Sequence, residues 1–301
     1  MCLKAAFCRI KPLWCMCVMD ENDVQRPRIL KSGLFFFQGY PQRWERKSVM
    51  EQKSFWQILT ENTVFVLEFL AVVFVLFALA YVVEKLEKKK NGDTERILST
   101  RKVAVVGMFS AISAVLMLFE IPVGFAPDFY KLDFSELPAL IGAFAYGPVA
   151  GVMIEFIKIL LKLLMKSTST AFVGELANFA VGCSFLLPAS ILYLARKNKK
   201  NAVFGCVTGT LVMTVFGTAF NAVYLLPKFA ELYGMPLDAI IGMGTAINGK
   251  INSVVTLVVF CVAPLNLLKG GLVSVITLLI YKKLSPILKA AGPVKKATGR
   301  S

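Results

Sequence analysis

Asn266 and Lys269 stand three residues apart in "CVAPLNLLKGGLVSVITLLI", Cys261 to Ile280, a run otherwise long and apolar enough to cross a bilayer. A charge at the centre of a membrane costs roughly 2.5–3.5 kcal/mol on insertion scales, so a lysine there is by default a functional residue whose partner has to be found. At this spacing the amide and the ammonium share one helical face, where both can donate hydrogen bonds and the amide can also accept. The competing structural role is a lysine that snorkels to the interface. Pro264, just before the pair, loosens the backbone, which is tolerated where a helix lines a protein cavity. Three more polar residues interrupt apolar helices: Glu175 and Asn178 in "VGELANF", and Asn221 in "GTAFNAVYLLP". Such groups either serve a ligand or join helix to helix. Glu155, Lys158 and Lys162 in "IEFIKILLKLL" fall on one face, with Glu155 in reach of Lys158 at i, i+3. A structural pair is expected there, with Lys162 turned outward.

Other chemistries lack their residues. The chain has no histidine, so it offers neither a Ser–His nor a Cys–His nucleophile pair. None of its seven cysteines forms a C-x-x-C pair, and Cys183, Cys206 and Cys261 lie in apolar segments, so metal sites and a disulfide framework are poorly supported. "GTAINGKI", Gly244 to Ile251, fits G-x-x-x-x-G-K but has Ile251 where the magnesium-binding hydroxyl belongs, and no strand and soluble helix frame it. Nucleotide hydrolysis is therefore not expected of this chain.

The elements that position these residues are membrane helices. Of 301 residues 56% are hydrophobic, gathered in long blocks, which points to an all-α polytopic membrane protein. The net charge of +15 comes from Lys and Arg clustered between those blocks, where they read as topology signals rather than a nucleic-acid surface. Thr63–Val83 is one span, with Glu68 its only charge, and six more candidates follow: Val103–Phe119, Leu137–Tyr146, Pro148–Met165, Val173–Ala195, Ala202–Leu226 and Val254–Tyr281. The second of these is short, and "YGP" at Tyr146–Pro148 separates it from the third. Seven Lys and Arg in 84–102, four in 196–200 and six from Lys282 onward alternate with poor connections. That alternation puts both ends of the six-helix core in the cytoplasm and the chain in the cell membrane. The connections on the other side, "EIPVGFAPDFYKLDFSELP" (Glu120–Pro138) and "KFAELYGMPLDAIIGMGTAINGKIN" (Lys228–Asn252), are long and aromatic or apolar, as lids are. Within the first core helix, Gly107 with Ala111 and Ser110 with Ala114 have small-xxx-small spacing, a face that lets another helix approach closely.

The chain divides into 1–49, 50–99, 100–290 and 291–301. Residues 1–49 carry no sustained period and no signal-peptide order, and read as a disordered or untranslated leader. Trp44-Glu45-Arg46 is compatible with a purine-rich ribosome-binding sequence ahead of Met50, which is the expected start. An additional helix with a basic linker fills 50–99, the six-helix core 100–290, and a basic cytoplasmic tail 291–301.

"KLDFSELPALIGAFAYGPVAGVMIEFIKILLKLL", "STSTAFVGELANFAVG", "LPASILYL", "GTLVMTVFGTAFNAVYLLP", "LDAIIGMGTAIN" and "APLNLLKGGLVSVITLLIYKKLSP" together resemble the riboflavin-specific substrate-binding (S) subunits, RibU type, of energy-coupling factor (ECF) transporters. The resemblance covers about 100–290; the additional N-terminal helix is outside it. It implies a six-helix fold with a vitamin pocket near the outer surface, closed by the loop between helices one and two. It also implies that Asn221, Asn266 and Lys269 contact the flavin. The small-residue face would dock on a transmembrane coupling subunit, with two cytoplasmic ATPase subunits supplying the energy. No cofactor is implied, riboflavin or its phosphate FMN being the transported ligand. The isoalloxazine ring is flat and apolar with an imide-like edge, which suits Asn and Lys as partners and Phe129 and Tyr130 as a cover. Glu175, Asn178 or Thr170 would suit the ribityl hydroxyls. The alternatives are another vitamin on the same scaffold (folate, thiamine or pantothenate), a membrane-embedded enzyme using Glu155 or Glu175 as a base, and a structural membrane anchor.

Overall fold

The computed structural model describes residues 8–10, 13–15, 63–90, 92, 96–166 and 172–290. The Met50 start, Thr170 and the 291–301 tail lie outside them. Two units make up the chain, Met1–Glu51 and Gln52–Ser301. In the first, β1 (Cys8–Ile10) and β2 (Leu13–Cys15) pair antiparallel with Arg9 opposite Trp14. Strands of three residues are too short to leave a period-two signature, which is why no element was expected there.

The second unit is a helix bundle whose boundaries follow from local chemistry. α1 (Thr63–Lys90) runs seven residues past the apolar stretch, because Glu and Lys are good helix formers and Lys88, Lys89 and Lys90 complement the negative end of the helix dipole. α2 (Thr100–Leu118) starts at Ser99, whose hydroxyl accepts from the Lys102 N–H. The connection after it closes into a two-residue ladder, β3 (Ile121–Pro122) with β4 (Lys131–Leu132). α3 (Glu136–Tyr146) and α4 (Pro148–Met165) are split at Gly147, whose φ of 100° suits glycine and whose missing side chain matters too. A Cβ there would lie 2.7 Å from Glu84 Oε2 of α1. That carboxylate accepts the Val149 N–H at 3.1 Å, satisfying one of the open donors at the start of α4.

α5 (Val173–Ala195) packs against α6 (Lys199–Phe220), which begins at Asn198, its side chain accepting from Asn201 N–H at 2.8 Å. Beyond α6 the chain makes one wide π turn, Asn221–Leu225, and continues as α7 (Leu226–Tyr233). A short apolar helix, α8 (Leu237–Ile247), lies in the long connection. α9 (Val254–Leu257), a second π turn (Val258–Val262) and α10 (Ala263–Ala290) form the last rod. Each π turn ends two residues before a proline, Pro227 or Pro264. Proline has no N–H and its ring crowds the carbonyl four residues back, so widening the preceding turn relieves both problems.

Among the described residues, five segments are long and apolar enough to cross a membrane: Thr63–Lys90, Thr100–Leu118, Val173–Ala195, Lys199–Leu232 and Val254–Ile280. α4 is long but carries Glu155, Lys158 and Lys162. α3, with 11 residues, spans only about 16 Å of a hydrocarbon core roughly 30 Å thick. Pro138 to Tyr146 is nevertheless buried throughout, because α2, α4, α5 and α10 surround it, as expected for a helix apolar on every side. The outward faces carry Val64, Phe74, Leu79, Leu211, Val215 and Leu279, while Glu84, Glu155, Lys158, Glu175 and Lys269 lie inside. A surface of exposed aliphatics over a charged interior is stable in lipid and not in water.

Candidate ligand-binding cavity

One cavity lies where the start of α5, the end of α6, the first π turn, the start of α10 and the β3–β4 loop converge. Its walls include Phe129 and Tyr130 of the loop, Asn178 and Val181 of α5, Met213 of α6, Asn221 and Leu225 of the π turn, Phe229 of α7, and Leu265, Asn266 and Lys269 of α10. It encloses about 140 Å³, well above the roughly 10–15 Å³ that one water needs, so it is a ligand-scale space rather than a packing defect.

Aromatic rings and amides are set against each other. Phe129 stacks on Phe229 with centroids 5.4 Å apart and meets Tyr130 at 4.5 Å, giving a flat apolar wall. The Tyr130 hydroxyl donates to Asn221 Oδ1 at 3.1 Å, while Asn221 Nδ2 donates to the Gly217 carbonyl at 2.7 Å. Burial pushes the Tyr130 hydroxyl well above the usual phenol range, so it remains a donor. Asn266 differs: it is 6% exposed and its Nδ2 makes no hydrogen bond. It is seated by Gly217, where a Cβ would come within 2.4 Å of that nitrogen. A buried amide N–H without a partner costs about 1–3 kcal/mol, which marks a group held ready for something absent.

Lys269 has partners from its own chain. Its Nζ lies 3.0 Å from Asp133 Oδ2 and 2.9 Å from Glu136 Oε1. Glu136 is shared with Lys158 at 3.3 Å, and Lys158 also donates to Ser135 Oγ at 2.8 Å and lies 2.7 Å from Glu155 Oε2. Three carboxylates and two ammoniums thus form a buried cluster at one wall of the cavity. Burial alone would raise the Asp133 carboxyl, but Lys269, then Lys158, and hydrogen bonds from Ser135 outweigh it and hold it down at about 2. Neither Asp133 nor Glu136 stood out in the sequence, since each looked like one more acid of a polar loop; only folding brings them beneath α10.

The remaining expected residues separate by position. Asn178 lines the cavity, although its Nδ2 is bonded to the Gly174 carbonyl at 3.0 Å. Glu175 does not line it: the carboxylate is buried and accepts from Lys162 at 2.6 Å. Lys162 therefore turns inward, contrary to the outward snorkelling expected, because a buried carboxylate lies closer than any interface. The expected Glu155–Lys158 pair is present. On α2, Gly107 and Ala111 are exposed on an open face, whereas Ser110 and Ala114 are buried against the bundle, with the Ser110 hydroxyl donating to the Val106 carbonyl. The two small-residue pairs thus straddle the edge between open and packed surface, three residues falling about 60° short of a full turn. Among the described residues no cluster of three His, Cys, Asp or Glu could hold a metal ion.

Residues 101–281 match the family model described as ECF transporter, substrate-specific component. The riboflavin transporter FmnP of Bacillus subtilis (strain 168) is 33% identical over 190 residues, which span 63% of this chain and 94% of that protein. The riboflavin transporter RibU of Staphylococcus aureus (strain TCH60) is 33% identical over 189 residues, 63% of this chain and 93% of that protein. A solved structure, titled "Structure and mechanism of the S component of a bacterial ECF transporter", shares 32% identity, covers 63% of this chain and 98% of its own, and superposes with a TM-score of 0.49.

Proposed function

Because this chain belongs to the substrate-specific components of ECF transporters, we propose that it is a membrane-embedded subunit that captures riboflavin in the cavity beneath the β3–β4 loop. The observation that carries this reading is the unpartnered Asn266 Nδ2 beside Lys269 in a cavity whose wall is mostly rings and aliphatics. The isoalloxazine ring lies along Phe129 and Phe229, and its imide edge takes up the hydrogen bonds that the chain leaves open. Asn266 donates its free N–H to a ring carbonyl. Lys269 has three donors, of which its two carboxylates take two, leaving one for the ligand. Asn221 joins when Tyr130 releases its carbonyl oxygen, and Asn178 is placed for a ribityl hydroxyl. Asp133 and Glu136 act through Lys269: they offset the cost of its charge and aim it.

The open face of α2 at Gly107 and Ala111 receives a coupling subunit, since small residues let two helices approach closely in lipid. Two ATPase subunits on the cytoplasmic side then drive release. The cavity faces outward, as the alternation of basic connections requires. Riboflavin is favoured over folate, thiamine and pantothenate because the two relatives at 33% identity are both riboflavin transporters. An enzyme using Glu155 or Glu175 as a base is disfavoured, since both carboxylates are held by lysines away from the cavity lining.

The experiment is a titration of the purified full-length chain with riboflavin, followed by flavin fluorescence, with folate, thiamine, pantothenate and FMN as competitors. Saturable quenching at one flavin per chain, resisted by the other three vitamins, is expected. Binding of one of those three in preference to riboflavin would overturn the reading.

A further inference from the structure

We propose that α1, which lies outside the family match of 101–281, is an integral seventh helix of the binding unit, and that its Glu68 is a positioning residue for the cavity, acting through Tyr224. This rests on the reading of the cavity as the flavin site.

A loosely tethered anchor would present lipid-facing residues all round. Instead α1 buries Phe65, Phe69, Val73, Ala80 and Glu84, spaced four or seven apart, along one stripe against α4 and α5. Phe69 meets Phe179 edge-on at 6.1 Å, and Phe77 meets Phe156 at 6.1 Å. Two of its three acids, Glu68 and Glu84, are spent on the core. Glu84 caps α4 at one end of the bundle, and at the other Glu68 accepts a hydrogen bond from the Tyr224 hydroxyl. An acid in an apolar membrane helix is costly, and this one is offset by a specific donor.

Tyr224 belongs to the π turn that carries Asn221 and Leu225 into the cavity. Its ring stacks on Phe220 at 5.4 Å and 6°, and Phe220 stacks on Phe216 at 5.3 Å. A π turn is closed by wider i→i+5 hydrogen bonds, here from Leu226 N–H to the Asn221 carbonyl, and contacts to its side chains help to fix its rotational setting. Two side-chain grips come from other elements: Tyr130 on Asn221 from the loop, and Glu68 on Tyr224 from α1. Releasing the second lets the turn rotate and carries the Asn221 amide out of line with the ligand edge.

The test uses the full chain carrying Glu68→Leu, Tyr224→Phe, the double substitution, and Glu68→Gln, which keeps an acceptor for the hydroxyl. Two quantities are measured: riboflavin affinity, and hydrogen–deuterium exchange of the 221–225 amides without ligand. Glu68→Leu and Tyr224→Phe should each accelerate exchange in that turn and weaken binding about 2- to 10-fold, the net worth of one typical intramolecular hydrogen bond. The double variant should be no worse than either single one, because both remove the same contact. Glu68→Gln should restore most of both signals. Equal exchange and affinity in all variants, in a chain that binds riboflavin, would overturn the positioning role while leaving the proposed function standing. A wild-type chain that fails to bind riboflavin would sink the flavin reading instead, and the exchange data would still report whether Glu68 sets the turn. Loss of binding in Glu68→Gln equal to that in Glu68→Leu would also overturn the proposal, since the acceptor, not the charge, is what it requires.

Discussion

Replacing Asn266 with leucine should weaken ligand binding and leave the fold as stable as before, or more so, a combination that few core substitutions produce. Its Nδ2 is buried and unbonded, so the substitution removes no hydrogen bond within the chain and relieves a desolvated donor. Leucine has the same branched heavy-atom skeleton as asparagine, and the niche opened by Gly217 accommodates a side chain of that length. In the complex, a flavin carbonyl loses its donor and stays buried, which costs about 1–3 kcal/mol, or roughly 5- to 150-fold in dissociation constant. Lys269→Met supplies the contrast. It leaves Asp133 buried without its ammonium and Glu136 with Lys158 alone, so stability should fall by about 3–5 kcal/mol together with affinity. Thermal unfolding in detergent and fluorescence titration on the same preparations separate the two patterns. An Asn266→Leu chain that binds riboflavin as tightly as wild type, or that unfolds well below it, would refute the assignment of Asn266 as a ligand donor.

Three further outcomes are expected. Gly107→Leu should abolish uptake in cells while the purified chain keeps its riboflavin affinity, because a Cβ at this exposed position meets nothing within 4 Å of its own fold and the added side chain obstructs a partner; lost affinity with normal folding would place this face in the pocket instead. An impermeant thiol reagent applied to intact cells should label Asp128→Cys and spare Lys200→Cys, and the reverse pattern would invert the topology. The depressed Asp133 carboxyl makes a contribution that is present above the ordinary aspartate pKa of about 3.9 and is lost as pH falls through about 2, on the order of 2 kcal/mol in all. Asp133→Asn should therefore flatten the acid limb of the stability profile between those values, and an unchanged limb would show that the carboxylate is not held by Lys269.

The one-dimensional pattern was enough for every property that depends on near neighbours along the chain. Pro148–Met165 and Val173–Ala195 were legible to the residue, because Gly147 and Pro148 break one helix and start the next and because apolar runs end where charges begin. Glu155 with Lys158 was legible for the same reason, three residues being less than one helical turn. The oddity of Lys269 was legible as well, since a lysine inside an apolar run demands an explanation. Its partner was not: Asp133 lies 136 positions away, and nothing local distinguishes it from Asp128 in the same loop. Phase was equally hidden, so that Ser110 and Ala114 turned inward while Gly107 and Ala111 stayed open, and Glu175 went to Lys162 rather than to the cavity. Pro227 and Pro264 announced disturbed helices, but whether each would kink, break or widen depended on what pressed against it. Packing across helices brings Asn221, Asn266 and Lys269 to one cavity, because the missing side chain at Gly217 makes room for Asn266 and the buried Asp133 and Glu136 hold Lys269.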